Sequence, residues 1–238
     1  MKSPDKSGGF KLSRNWPIEE VETALRRGES AKLDLVKFIS ERYKERFFEP
    51  IQILQCQSKL RQKKEANGTS GSGEDFWHFG FAIMALCCLL VETFQCYRAG
   101  LPSSHPPELK SLLREYSEVD EQFRLDEEKF PKKGEEIYQC FFDSSREIFD
   151  GVDGKQFYRC IRNGILHQAQ TKNGWTINVG RTKLWDADNK SLSRDVFVKK
   201  LRVYFNEYLA ELHNAGWETP VWAMARRKIF WLCELSKT

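Results

Sequence analysis

The sequence predicts an all-α fold, a helical bundle with an N-terminal helical arm and one short β-hairpin insertion. Three observations predict it. Apolar residues recur at helical spacing over most of the chain. The stretch from 75 to about 99 is apolar nearly all round, as a helix at the centre of a bundle is. Strand-like patterning is confined to the short segments 175–179 and 182–185.

The elements follow in order. Residues 1–16, rich in Lys, Ser and Gly, read as a flexible leader. Pro17 suits the first turn of a helix, and Val21 and Leu25 follow at i, i+4. A long second helix is expected over 31–66, with Leu35, Phe38, Ile39, Phe48 and Ile51 on its apolar stripe. Pro50 should kink or break it. Residues 17–66 thus form the arm, and the Gly/Ser-rich run 67–74 reads as a linker. The main domain spans 75–238. After its apolar helix, Gly100-Leu101-Pro102 is a stop, and a connection over 103–133 holds a short helix at 108–116. A helix over 134–149 comes next, then a turn at 150–154, then a helix over 155–169. The hairpin is expected to turn at Gly180-Arg181. Helices over 193–214 and 220–235 close the chain.

Composition narrows the function classes. Of 238 residues, 40% are hydrophobic and 13% aromatic, enough to fill a core. The net charge of +4 is small for this length and does not announce a nucleic-acid binder by itself. The basic residues gather late: residues 171–238 hold twelve basic and seven acidic side chains, which suits contact with a phosphate backbone and equally a solvated helix face. The seven cysteines include no C-x-x-C pair, which fits reduced thiols in a cytoplasmic protein and no zinc site. No cofactor and no metal are expected. Residues 1–16 have no apolar core of a secretory signal, and the apolar run 79–91 is too short to span a bilayer, so no membrane partner is expected.

The candidate chemistry lies in Arg162-Asn163-Gly164-Ile165-Leu166-His167. Projected at 100° per residue, Phe157, Ile161, Gly164 and Ile165 share a core face, and Gly164 there allows another helix to approach closely. Arg159, Arg162, Asn163 and His167 fall on the far side, with Leu166 among them. Asn163 and His167 are i, i+4 neighbours able to touch. Arg162 reaches His167 only through its long side chain. Histidine exchanges a proton near neutral pH, and arginine offers a planar fork to phosphate. Together they suit RNA cleavage without a metal: an imidazole for the 2′-hydroxyl or the leaving oxygen, a guanidinium for charge on the phosphorane. A leucine centred on this polar face suggests a second surface over it. A histidine near a helix end also caps carbonyls, which would leave a plain helical interaction protein.

The six-residue string resembles the R-x4-H signature of the HEPN family, in which a polar residue follows the arginine, as Asn163 does. Its surroundings agree: an apolar helix ending Leu89-Leu90-Val91-Glu92-Thr93-Phe94, and Phe157-Tyr158 before the motif. The resemblance covers residues 75–215. It implies a HEPN-like helical bundle and a metal-independent endoribonuclease whose site forms where two motif helices meet in a homodimer. It places the chain in phage defence or a toxin system, with RNA as substrate and an antitoxin or regulatory protein as partner. Carried over, Arg162 stabilises the phosphate, Asn163 orients, and His167 is the general acid/base. Glu92 and Arg159 are possible auxiliaries, and Leu166 marks the dimer interface. The chain departs from members that continue His-x-Tyr: here His167-Gln168-Ala169 has no tyrosine. Other members have lost catalysis and bind a nucleotide, nucleic acid or protein, which is the alternative reading.

Overall fold

The computed structural model describes residues 10–66, 79–104 and 134–237. The 67–74 linker and the 108–116 helix lie outside them. The described chain is mostly helical, with short strands. It separates into two compact units. The first draws on Met1–Glu45, Phe94–Phe130 and Asn206–Thr238, the second on Arg46–Thr93 and Pro131–Phe205. This differs from the expected arm and domain, because residues on both sides of the 67–74 run fall in the second unit.

In the first unit, residues 10–16 are not leader. Strand β1 (Lys11–Ser13) pairs antiparallel with β2 (Trp16–Pro17). Leu12 is buried, and Trp16 Nε1 donates to Glu41 Oε2 at 2.8 Å. Burying those two side chains is what orders the segment. Pro17 is the N-cap of helix α1 (Ile18–Arg27), one step earlier than the first turn. Helix α2 (Lys32–Tyr43) follows a 3-10 turn. At the far end of the chain, Trp222 is fully buried and donates from Nε1 to Leu212 O at 2.8 Å.

Pro50 does not break the second helix. After α2 the chain widens into a π turn, Lys44–Phe48, and continues as α3 (Glu49–Ala66). Proline lacks an N–H and crowds the carbonyl four residues back. A π turn just ahead of it pairs the backbone at wider spacing and absorbs the misfit.

In the second unit, helix α4 (Gly80–Ala99) begins, with Ile83, Met84, Cys87, Cys88, Leu90 and Val91 buried. Its 20 residues exceed the apolar run counted in the sequence, and by length and composition alone it could cross a bilayer. It is instead largely buried, as a core helix is. Helix α5 (Gly134–Ser144) ends short of the expected 149, where the Ser144 and Ser145 hydroxyls both donate to Phe141 O and compete with the backbone. An aromatic cluster fills the centre: Phe142, Phe149, Phe157 and Phe197, with Phe142–Phe157 and Phe157–Phe197 centroids 5.1 and 5.2 Å apart.

The expected hairpin is absent. Strand β3 (Thr176–Asn178) and β4 (Trp185–Asp186) do not pair with each other. Strand β5 (Ser191–Ser193) lies between them, parallel to β3 and antiparallel to β4. Leu192 at the middle of β5 is fully buried, and Trp175 stacks on Trp185 at 3.9 Å beside it. Burial of these side chains outweighs the local turn at Gly180-Arg181. The long helices α7 (Arg194–Asn214) and α8 (Pro220–Glu234) end the described chain close to the expected bounds.

Candidate active site

The motif helix, α6 (residues 154–168), has three parts: an α turn Gly154–Gln156, a π segment Phe157–Arg162 and an α segment Asn163–Gln168. Asp153 starts it by accepting the Gln156 N–H on its side chain at 2.9 Å. Gly154 sits against α5: a Cβ there would meet Tyr138 O and Gln139 Cα at 2.6 Å. In the π segment the Asn163 N–H bonds Tyr158 O, five residues back. The wider turn brings Phe157, Cys160 and Ile161 all inward.

The helix stops at Ala169, which is left-handed at φ 52°. The chain then doubles back over its own helix. Gln170 N–H bonds Gly164 O at 3.4 Å, and Lys172 N–H bonds Cys160 O at 2.8 Å. A Cβ at Gly164 would collide with Gln170 O and stand 3.0 Å from Thr171 Cα. The close approach foreseen at Gly164 is therefore made by the chain's own return segment, not by another helix.

Arg162, Asn163 and His167 are brought together. Arg162 Nη1 donates to Asn163 Oδ1 at 3.2 Å and lies 3.4 Å from His167 Nε2. Asn163 and His167 do not bond each other; the guanidinium links them. Arginine has no acceptor, so the His167 contact uses the Nε2 lone pair and fits the Nδ1–H tautomer. His167 is exposed. Its one hydrogen-bond contact among the described residues is Arg162, and no carbonyl of its own helix is capped.

Arg162 does not stand clear of the core as the projection placed it. Its side chain is 12% exposed and its Nε donates to Glu92 Oε1 at 2.9 Å. Glu92, on α4, is thus part of the cluster. Tyr138 on α5, unmarked in the sequence, donates its hydroxyl towards Cys88 O at 2.9 Å and Glu92 Oε1 at 3.1 Å. Tyr158 underlies the guanidinium, with Cζ 5.3 Å from its ring centroid. Only its position four residues before Arg162, on the same helix, could have marked it. Nη2 of Arg162 has no partner among the described residues, so it is the corner open to an incoming anion.

Two expected members differ. Arg159 is turned to α5, where Glu135 takes its Nε and Nη2 at 2.7 and 2.9 Å. That ion pair holds it out of the Arg162 cluster. Leu166 is half-buried rather than exposed, because the π segment shifts the register of the polar face.

The electrostatics suit this arrangement. Burial pushes the Tyr138 hydroxyl well above its ordinary range, and the Cys88 thiol and Glu92 carboxylate add to the shift. Tyr138 therefore remains a neutral donor. Burial opposes the charge on Arg162, but the Glu92 carboxylate beside it more than compensates and the net shift is upward. Arg162 is a fixed cation next to an imidazole base. Among the described residues, no three His, Cys, Asp or Glu side chains gather as metal ligands. A cavity of about 740 Å³ lies beside α5 near Asp143, Arg146 and Lys155, and none of the cluster lines it.

No family model, curated protein or solved structure matches the chain.

Proposed function

We propose that the chain is an endoribonuclease of the HEPN type, working without a metal ion at a site completed by a second copy. The observation that carries this is the 3.4 Å contact between Arg162 Nη1 and the exposed His167 Nε2. It supports the reading because cation and base share one small volume. His167 Nε2 would take the proton of an RNA 2′-hydroxyl. The oxygen so released would attack the adjacent phosphorus and expel the 5′-oxygen, which takes a proton from an imidazolium. Arg162, through Nη1 and Nη2, would hold the non-bridging oxygens as charge builds. Such acid–base catalysis is worth roughly 10²–10⁴ in rate. Asn163 would keep Nη1 directed at His167. A second motif helix, packed over Leu166, would supply the other imidazole. Within this proposal the setting is a cytoplasmic phage-defence or toxin system, held in check by an antitoxin or regulatory protein.

The test is direct. Purified protein is incubated with labelled single-stranded RNA in a chelator, alongside His167→Ala. Cleavage by the wild type and its loss in the variant is the expected result. Intact RNA in both overturns the proposal.

A second reading, a non-catalytic HEPN module that binds a nucleotide, nucleic acid or protein, is favoured by the Arg162–Glu92 ion pair. An arginine so tied to its own fold serves structure as well as chemistry. That reading predicts RNA binding that weakens in Arg162→Ala, with no cleavage by the wild type.

A further inference from the structure

We infer that Tyr138 is a positioning residue, whose hydroxyl sets the Arg162 guanidinium through Glu92; its consequence for turnover rests on the ribonuclease reading above.

Three links make the connection. The Tyr138 hydroxyl reaches Glu92 Oε1 at 3.1 Å. The same oxygen accepts the Arg162 Nε–H at 2.9 Å. Arg162 Nη1 then lies 3.4 Å from His167 Nε2. Tyr138 is itself immobile. It is fully buried, its ring stacks on Phe157 at 5.6 Å and 22°, and Tyr158 lies 5.5 Å away. Its hydroxyl is also anchored to the α4 backbone at Cys88 O, 2.9 Å away. One proton is thus shared between a fixed carbonyl and a movable carboxylate oxygen, which ties that oxygen to the helix backbone.

A single Nε–H···O bond leaves a carboxylate free to turn about its terminal torsion, which is broad and roughly two-fold. A second donor on the same oxygen removes that freedom. Arg162, held by the oxygen so fixed, keeps Nη1 on His167. Loss of the hydroxyl leaves Arg162 charged and paired but no longer aimed. Small misplacements of this kind cost up to about a hundredfold in rate.

A plain structural role, in which the hydroxyl merely pins α5 to α4, predicts something different: loss of stability with no change at Arg162. The experiment separates the two on Tyr138→Phe, which keeps the stacked ring. The side-chain Nε–H signals of Arg162 and Arg159 are followed by ¹H–¹⁵N NMR on the full chain. Arg159, held by Glu135, is the internal reference. In Tyr138→Phe the Arg162 signal exchanges with water about tenfold faster, as a side-chain hydrogen bond opens more often, and the Arg159 signal stays put. An unchanged Arg162 signal overturns the inference. If Tyr138→Phe does not fold, the hydroxyl proton of Tyr138 is observed directly. It shifts upfield when Glu92→Gln weakens its acceptor; an unmoved resonance overturns the inference. With RNA, Tyr138→Phe lowers kcat about tenfold and leaves KM within about twofold, as for a misaimed group. Absence of cleavage by the wild type would end the ribonuclease reading while the Arg162 signal still reports on Tyr138.

Discussion

The Glu92 carboxylate accepts the Arg162 Nε–H at 2.9 Å, with the two side chains only 10% and 12% exposed. A pair this sheltered is strongly coupled. Glu92→Ala leaves a mostly buried cation without this carboxylate and is expected to lower stability by about 3 kcal/mol. Arg162→Ala has a comparable cost. The double variant should cost less than the two together, by at least about 1 kcal/mol. Urea unfolding of the four proteins gives that coupling energy, and strict additivity would mean the pair contributes nothing.

His167 behaves in the opposite way. It is exposed, and it meets the fold through one contact to Arg162. His167→Ala is expected to change stability by no more than about 0.5 kcal/mol. Thermal unfolding checks this. A loss well beyond that value would make His167 a structural residue and would confound any activity lost in the same variant.

Gly164 tests the folding-back of the chain. A Cβ there collides with Gln170 O and crowds Thr171 and Lys172. Gly164→Ala is expected to cost about 2 kcal/mol by overpacking. It also lifts the return segment, so the Lys172 amide, bonded to Cys160 O, loses protection from hydrogen exchange. Gly151 is the comparison. Its φ is +74° and no atom lies within 4 Å of a built Cβ. Gly151→Ala meets the left-handed penalty alone, about 1 kcal/mol. A Lys172 amide equally protected in wild type and Gly164→Ala would refute the packing argument.

Much of this site was readable before any coordinates, and the losses have physical causes. Arg162 and His167 were expected to converge through the length of the arginine, and they do. The 3.6-residue template hid the π segment, because the template presumes the spacing that a π turn changes. At that spacing Cys160 falls beside His167 on the polar side, yet it is buried. Gly164 signalled a close approach without saying by what. The hairpin failed because Trp175, Trp185 and Leu192 decide the pairing by burial, which no local turn signal encodes. Tyr138 had no local signal at all. Its partners, Cys88 and Glu92, are 50 and 46 residues away in sequence.

Cys88, whose carbonyl holds Tyr138, also gives the site's surroundings a pH dependence. Burial, with the Glu92 charge behind it, pushes the Cys88 thiol up from 9.0 to about 12. In the unfolded chain the thiol ionises near its ordinary value, while in the folded protein it keeps its proton. The folded state therefore binds more protons between these two values. Its stabilising contribution is complete below about pH 9 and is lost as the pH climbs towards 12. By pH 10 the loss from this one thiol is about 1 kcal/mol. Cys87, also shifted upward by burial, adds to the decline in the same direction. Urea midpoints for wild type and Cys88→Ala at pH 7.5 and pH 10 isolate the Cys88 share. The variant should be less stable at both values yet fall by about 1 kcal/mol less between them. Parallel declines in the two proteins would show that Cys88 ionises in the folded state, and that the interior between α4 and α5 admits water.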